Sequence, residues 1–156
     1  MKKGMFLPAV ANSQGADMNN RVTLLDNEYA SLWYYPDDHI IHHQFHQPIA
    51  DDAFRSVLMA GLELMREEGV RKWLSDDRNN SILSAEDSAW SQDYWLPRAL
   101  EAGWKYWAVL PPRKARGRIN MERLMEFVGL GTRVEIQLFS DPDAAWQWLK
   151  DQDRVT

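Results

Sequence analysis

The chain has 156 residues and no cysteine. That absence removes disulfides, thiolate zinc sites and cysteine nucleophiles together. It fits a reducing compartment, so a cytoplasmic location is expected. No stretch approaches the ~18 apolar residues that a membrane span requires, and no transmembrane segment is expected. The chain lacks a Gly-x-x-x-x-Gly-Lys-Ser/Thr loop and a Gly-x-Gly-x-x-Gly fingerprint, so no motif calls for a nucleotide and no cofactor is expected. It also lacks a Gly-x-Ser-x-Gly elbow. There is no excess of basic residues: 18 Lys and Arg stand against 23 Asp and Glu. A net charge of −5 disfavours a general nucleic-acid binder.

What is present reads as one globular domain. The hydrophobic share is 45% and the charged share 26%, ordinary values for a folded chain of this length. Tryptophan is abundant, with eight residues. Near the start, Lys2 and Lys3 precede Met5-Phe6-Leu7-Pro8, an apolar run too short for a signal peptide and interrupted by proline. Residues 1–22 are read as a tail, flexible or ordered by a partner, and residues 23–152 as the domain.

The domain reads as β-β-α-β-α-β-α-β-α, an open mixed sheet with helices packed on it. Tyr29 to Tyr35 and His39 to Phe45 form a hairpin around Pro36-Asp37-Asp38. Residues 51–68 are the clearest helix: Phe54, Val57, Leu58, Gly61, Leu62 and Met65 share one face, and Gly69 stops it. Gly61 is expected to let another backbone approach. A strand follows over Val70 to Asp77. Ser84-Ala85-Glu86-Asp87 has the spacing of a capping box and opens a helix that Pro97 should bend. Trp104 to Leu110 is a strand, and Asn120 is expected to cap the next helix. Val134 to Leu138 alternates as the last strand, and Asp141-Pro142 opens the last helix.

Right-handed crossovers would bring the loops at Asp76–Ser84 and Arg113–Arg118 to one edge of the sheet. The first holds Asp76, Asp77, Arg78, Asn79, Asn80 and Ser81, a candidate partner or ligand loop. Adjacent carboxylates serve acid–base chemistry when burial separates them; they also cap loop amides and pair with arginine. The second holds Arg113, Lys114, Arg116 and Arg118 before a helix N-terminus, where anions are favoured. Four histidines crowd His39 to His46, but a strand sends His39 and His43 to one face and His42 and His46 to the other. Neither pair completes a metal site, and none is expected. Trp33, Trp73, Trp107 and Trp146 are assigned to packing. Trp90, Trp95, Trp104 and Trp148, with Tyr94, are the candidates for a dimer or ligand surface.

These segments resemble the STAS-like proteins, the group related to bacterial anti-sigma-factor antagonists, and more narrowly a small STAS/SEC14-like set. The resemblance covers about residues 27–150. It rests on the hairpin, Gly61-Leu62-Glu63-Leu64-Met65, Lys72-Trp73-Leu74-Ser75-Asp76-Asp77-Arg78-Asn79, Ser84-Ala85-Glu86-Asp87, Trp95-Leu96-Pro97-Arg98-Ala99, Gly117-Arg118 and the closing Asp143 to Leu149. It implies a regulatory protein–protein module without catalytic activity of its own; the expected partner is another protein or, from the extra aromatics, a second copy as a homodimer. It also implies a phosphorylated serine where Ser84 stands, although Ser84-Ala85-Glu86-Asp87 replaces the usual Asp-Ser-Ser-Gly. SEC14-like relatives carry apolar ligands, which gives the alternative: a carrier of a small amphipathic, lipid-like anionic molecule held by Trp90, Tyr94, Trp95 and the basic loop. A hydrolase built on Asp76, Asp77 and a histidine is the third reading.

Overall fold

A computed structural model describes residues 20–153. Six strands lie side by side in chain order: β1 (Val22–Asp26), β2 (Ala30–Tyr35), β3 (Ile40–Phe45), β4 (Lys72–Asp76), β5 (Tyr106–Leu110) and β6 (Glu135–Leu138). β1, β2 and β3 pair antiparallel, and β3 through β6 pair parallel. The helices are α1 (Asp51–Glu68), α2 (Ala85–Trp90), α3 (Leu96–Ala102), α4 (Ala115–Gly131) and α5 (Pro142–Asp151). A π-helical turn, Ser91–Trp95, joins α2 to α3 in one continuous segment.

The α/β class and the mixed sheet are as expected, with one added strand. β1 begins at Val22, inside the segment read as a tail, and only residues 20–22 of that tail lie among the described residues. The β1–β2 turn forms because the Asn27 side chain accepts the N–H groups of Tyr29 and Ala30 at 2.8 and 3.0 Å, an Asx turn.

Three parallel crossovers run in one direction, so a single handedness sends α1, the α2–α3 segment and α4 to one face of the sheet. Ile41, Phe45, Trp73, Trp107 and Val109 point to that face and join Val57, Leu62, Ala99 and Met121 in the larger core. On the other face, Ile40, Leu74, Tyr106, Ala108 and Leu110 pack against Ala145 and Leu149 of α5. Every residue of β4 and β5 is buried, as expected of parallel strands covered on both sides. Strand order never reverses, so the sheet has no switch-point crevice.

Local chemistry explains several boundaries. The apolar face of α1 is buried as its spacing predicts, and Gly69 ends the helix at φ 70°. Gly61 has a different role from the one expected. It admits the Trp73 indole rather than a backbone, and a Cβ at Gly61 would collide with the ring. Ser84 caps α2 by accepting the Asp87 N–H at 3.0 Å. Asp87 does not return the bond, as a capping box would. Its carboxylate is fully buried and accepts from Asp51 N at 2.9 Å and Arg55 Nε at 3.0 Å, tying α2 to α1. Pro97 has no N–H, and its ring would press on a carbonyl one α-turn back. The wider π turn, in which Leu96 N–H reaches Ser91 O, lies immediately before it.

The basic segment is also corrected. α4 starts at Ala115 with Lys114 at its cap position, so Arg116, Gly117 and Arg118 are helical. Asn120 lies within α4 and caps nothing there; its Oδ1 accepts the Leu83 N–H at 3.2 Å. Gly117 allows this early start, because a Cβ there would press on Pro112 and on Ser81 O.

Candidate functional site

The two loops expected to meet do meet. Asp77 N–H bonds Leu110 O at 2.9 Å, Arg113 N–H bonds Arg78 O at 3.1 Å, and Arg113 Nη1 donates to Asn79 Oδ1 at 2.7 Å. Beneath them, between the sheet and the helices, lies a cavity of about 70 Å³. Trp73, Trp95, Trp104 and Trp107 form much of its wall, with Phe54 and Leu124. The π turn contributes Ser91, Gln92 and Trp95. Such turns inside α-helices often occur at functional sites.

The polar groups of this cavity converge from three neighbouring segments. β3 supplies His43, β4 supplies Ser75, and the loop after β4 supplies Asp77 and Asn80; all four residues are buried. His43 Nε2 donates to Asp77 Oδ1 at 2.6 Å, and Trp73 Nε1–H donates to His43 Nδ1 at 2.9 Å. An indole N–H can only donate, so the neutral imidazole carries its proton on Nε2. Both ring nitrogens are therefore engaged. A hydrolytic triad needs the second nitrogen to face a nucleophile; here it faces Trp73. Trp107 Nε1–H donates to Ser75 Oγ at 2.8 Å, leaving the Ser75 hydroxyl proton available, and Trp95 Nε1–H donates to Leu58 O at 2.8 Å. The Nε1–H of Trp104 is buried and has no partner among the described residues.

Asp76 and Asp77 do not form a pair. Asp76 accepts from the Arg78 guanidinium at 2.9 Å through both oxygens, and Asp77 turns to His43. Burial alone would raise the Asp76 carboxyl, but the hydrogen bonds and charge of Arg78 hold it below its usual range. Asp76, Asp77 and Asn80 are buried and cannot form a contact surface. Arg78 and Ser81 are half-buried, and Asn79 is exposed. Arg113, Lys114, Arg116 and Arg118 are exposed at the start of α4, outside the cavity. Ser84 is half-buried as the α2 cap.

The aromatic surface is smaller than expected. Trp95 and Trp104 are buried, not exposed. Trp90 is half-buried against Phe54, and Trp148 is half-buried against Tyr106 and Phe139. Of these candidates Tyr94 alone is exposed, stacked on Trp90 with Arg98 over its ring at 3.7 Å. Trp95 closes the π turn, whose wider winding brings residues five apart, such as Trp90 and Trp95, closer to one face than an α-helix does.

The histidines go to four places. His39 is in the β2–β3 turn at φ 57°, and His46 lies beyond β3, 3.0 Å from Ser31 Oγ. His42 is on the face opposite His43, between the rings of Trp33 and Tyr35, with Nδ1 buried and unpartnered among the described residues. Burial, with neighbouring His43 second, pushes the His42 imidazole down to about 3. Among the described residues no group of three or more His, Cys, Asp or Glu is placed to hold a metal. None of their helices is long and apolar enough to cross a membrane.

Comparison with protein-family models, with curated proteins and with solved structures finds no match.

Proposed function

We propose that this chain is a non-enzymatic binding module for a small, neutral, mostly aliphatic molecule carrying an oxygen acceptor. The observation that carries this reading is the set of buried polar groups lining an aromatic-walled cavity. Burying a carboxylate, an amide and a hydroxyl costs free energy; small-molecule sites use a few such groups to orient an otherwise apolar guest. The Ser75 hydroxyl and the unpartnered Trp104 N–H favour a guest that accepts hydrogen bonds. The Asp77 carboxylate disfavours an anion, so the expected anionic head is replaced by a neutral one. The volume of about 70 Å³ is well below the ~150 Å³ that takes a benzene ring. The volume suits a guest of about three or four heavy atoms. The STAS/SEC14-like resemblance, with its apolar ligands, agrees with this reading. At the cavity, His43 offers a hydrolytic role no free ring nitrogen, because both are hydrogen-bonded.

The test is a fluorescence titration of the full chain, read through the four indoles that wall the cavity. Probes are ethanol, acetone and acetate. Acetone and ethanol should give a saturable change, acetate a much weaker one. Leu124→Phe, which fills the cavity from α4, should weaken ketone binding at least tenfold. The proposal fails if no probe saturates, or if Leu124→Phe binds as the native chain does.

A further inference from the structure

α4 buries one apolar face and leaves three large apolar residues among charges on the other. Gly117, Met121 and Val128 are buried toward the sheet. On the opposite side Ile119 is 51% exposed, Phe127 48% and Leu130 83%. Exposed apolar residues scattered singly need no explanation. These are not scattered. Ile119, Arg123, Glu126 and Leu130 follow at steps of four, three and four, the spacing of the a and d positions of a coiled-coil seam. Phe127 flanks that seam, and none of the described residues covers it.

The order of residue types along the seam is self-complementary. Its ends are apolar and its centre holds one basic and one acidic residue, neither in an ion pair among the described residues. A second copy of α4 laid antiparallel about a two-fold axis between Leu124 and Met125 sets Ile119 against the partner's Leu130. It sets Arg123 against the partner's Glu126. The same operator repeats both contacts, as an isologous interface requires. Parallel alignment in register would instead put Arg123 on Arg123 and Glu126 on Glu126. We infer that α4 pairs antiparallel with α4 of a second copy of this chain, through Ile119, Arg123, Glu126 and Leu130. Protein contact is thereby moved from the tryptophans and the Asp76–Ser81 loop to the outer face of α4. The inference does not depend on what fills the cavity.

Sedimentation of the full chain over a hundredfold concentration range tests it. The expected result is a reversible rise from 18.2 kDa to twice that mass. Arg123→Glu alone and Glu126→Arg alone each place like charges across the axis twice and should weaken association at least tenfold. The double variant Arg123→Glu, Glu126→Arg restores opposite charges and should recover most of it. Circular dichroism checks that each variant keeps its helices. A chain that stays at 18.2 kDa throughout overturns the inference. So does a dimer indifferent to the single variants, or a folded double variant that fails to recover.

Discussion

Gly61→Ala sets two opposing effects against each other at one helical position. Alanine is favoured over glycine inside a helix by about 1 kcal/mol, so an open site would gain stability. Gly61 is not an open site. Its missing Cβ is replaced by the Trp73 ring, which is almost fully buried. The ring cannot yield easily: its Nε1–H is bonded to His43, and it meets Trp95 edge-on at 5.5 Å between ring centroids. Forcing a methyl into such a site costs about 3 kcal/mol, the upper part of the overpacking range. The net expectation is a loss of about 2 kcal/mol, or roughly 4–8 °C in Tm for a chain of this length. The measurement is urea unfolding followed by far-ultraviolet circular dichroism, with a thermal scan. Gly129→Ala is the control. It sits on an exposed part of α4, where the nearest atom to an added Cβ is Ile136 Cδ1 at 3.7 Å. That variant should gain up to about 1 kcal/mol. A Gly61→Ala variant as stable as the native chain, or more so, would refute the close-packing argument.

Two further perturbations test other parts of the structure. Asp87→Ala removes the buried acceptor shared by Asp51 N–H and Arg55 and should cost about 3 kcal/mol by urea titration; a loss under about 1 kcal/mol would show that the α1–α2 tie is unimportant. His42 gives a pH dependence. Its folded value of about 3 lies below the ordinary 6.5, so between those limits the unfolded chain binds a proton that the folded chain excludes. Stability should therefore fall as pH falls through that window, by up to about 1.4 kcal/mol per unit from this group. Asp76, with its depressed value, adds stability that is present above the usual carboxylate range and lost below it, so its contribution disappears only at the acid end. His42→Phe should flatten the slope between pH 6 and 4.5; an unchanged slope would remove His42 as its source.

The elements legible in the sequence are those whose information is local. α1 can be read residue by residue because six apolar positions keep one helical phase and Gly69 supplies a left-handed stop. The α2 cap and the Asp141-Pro142 start of α5 are legible for the same reason. β1 escapes a sequence reading, although Val22 to Leu25 followed by Asp26-Asn27 carries the composition of a strand entering a turn. Five residues are too short for periodicity to separate a strand from a tail. Trp95 is misplaced when helical phase is counted across a π turn that the sequence does not announce. The His43–Asp77–Trp73 arrangement is out of reach for a different reason. It joins residues 34 and 30 positions apart through the register that sets His43 beside Ser75. Alternation alone places His43 on the face of Ile41 and Phe45; nothing local says which carboxylate waits just beyond the next strand.

The strictly sequential strand order has a consequence for how the chain acquires its structure. Each strand pairs with the one before it, so no strand must wait for a distant partner. The closure cost at each step is that of a single turn or crossover, which grows only slowly with its length. A chain emerging from the ribosome can thus extend the sheet edge by edge, from β1 toward β6. The first face is roofed as each helix arrives. The second stays bare until α5, the last of the described helices, covers Ile40, Leu74 and Ala108. Synthesis halted before Pro142 would leave a nearly finished sheet with one apolar side open, and that is the stage at which nascent chains of this protein should be most prone to aggregate.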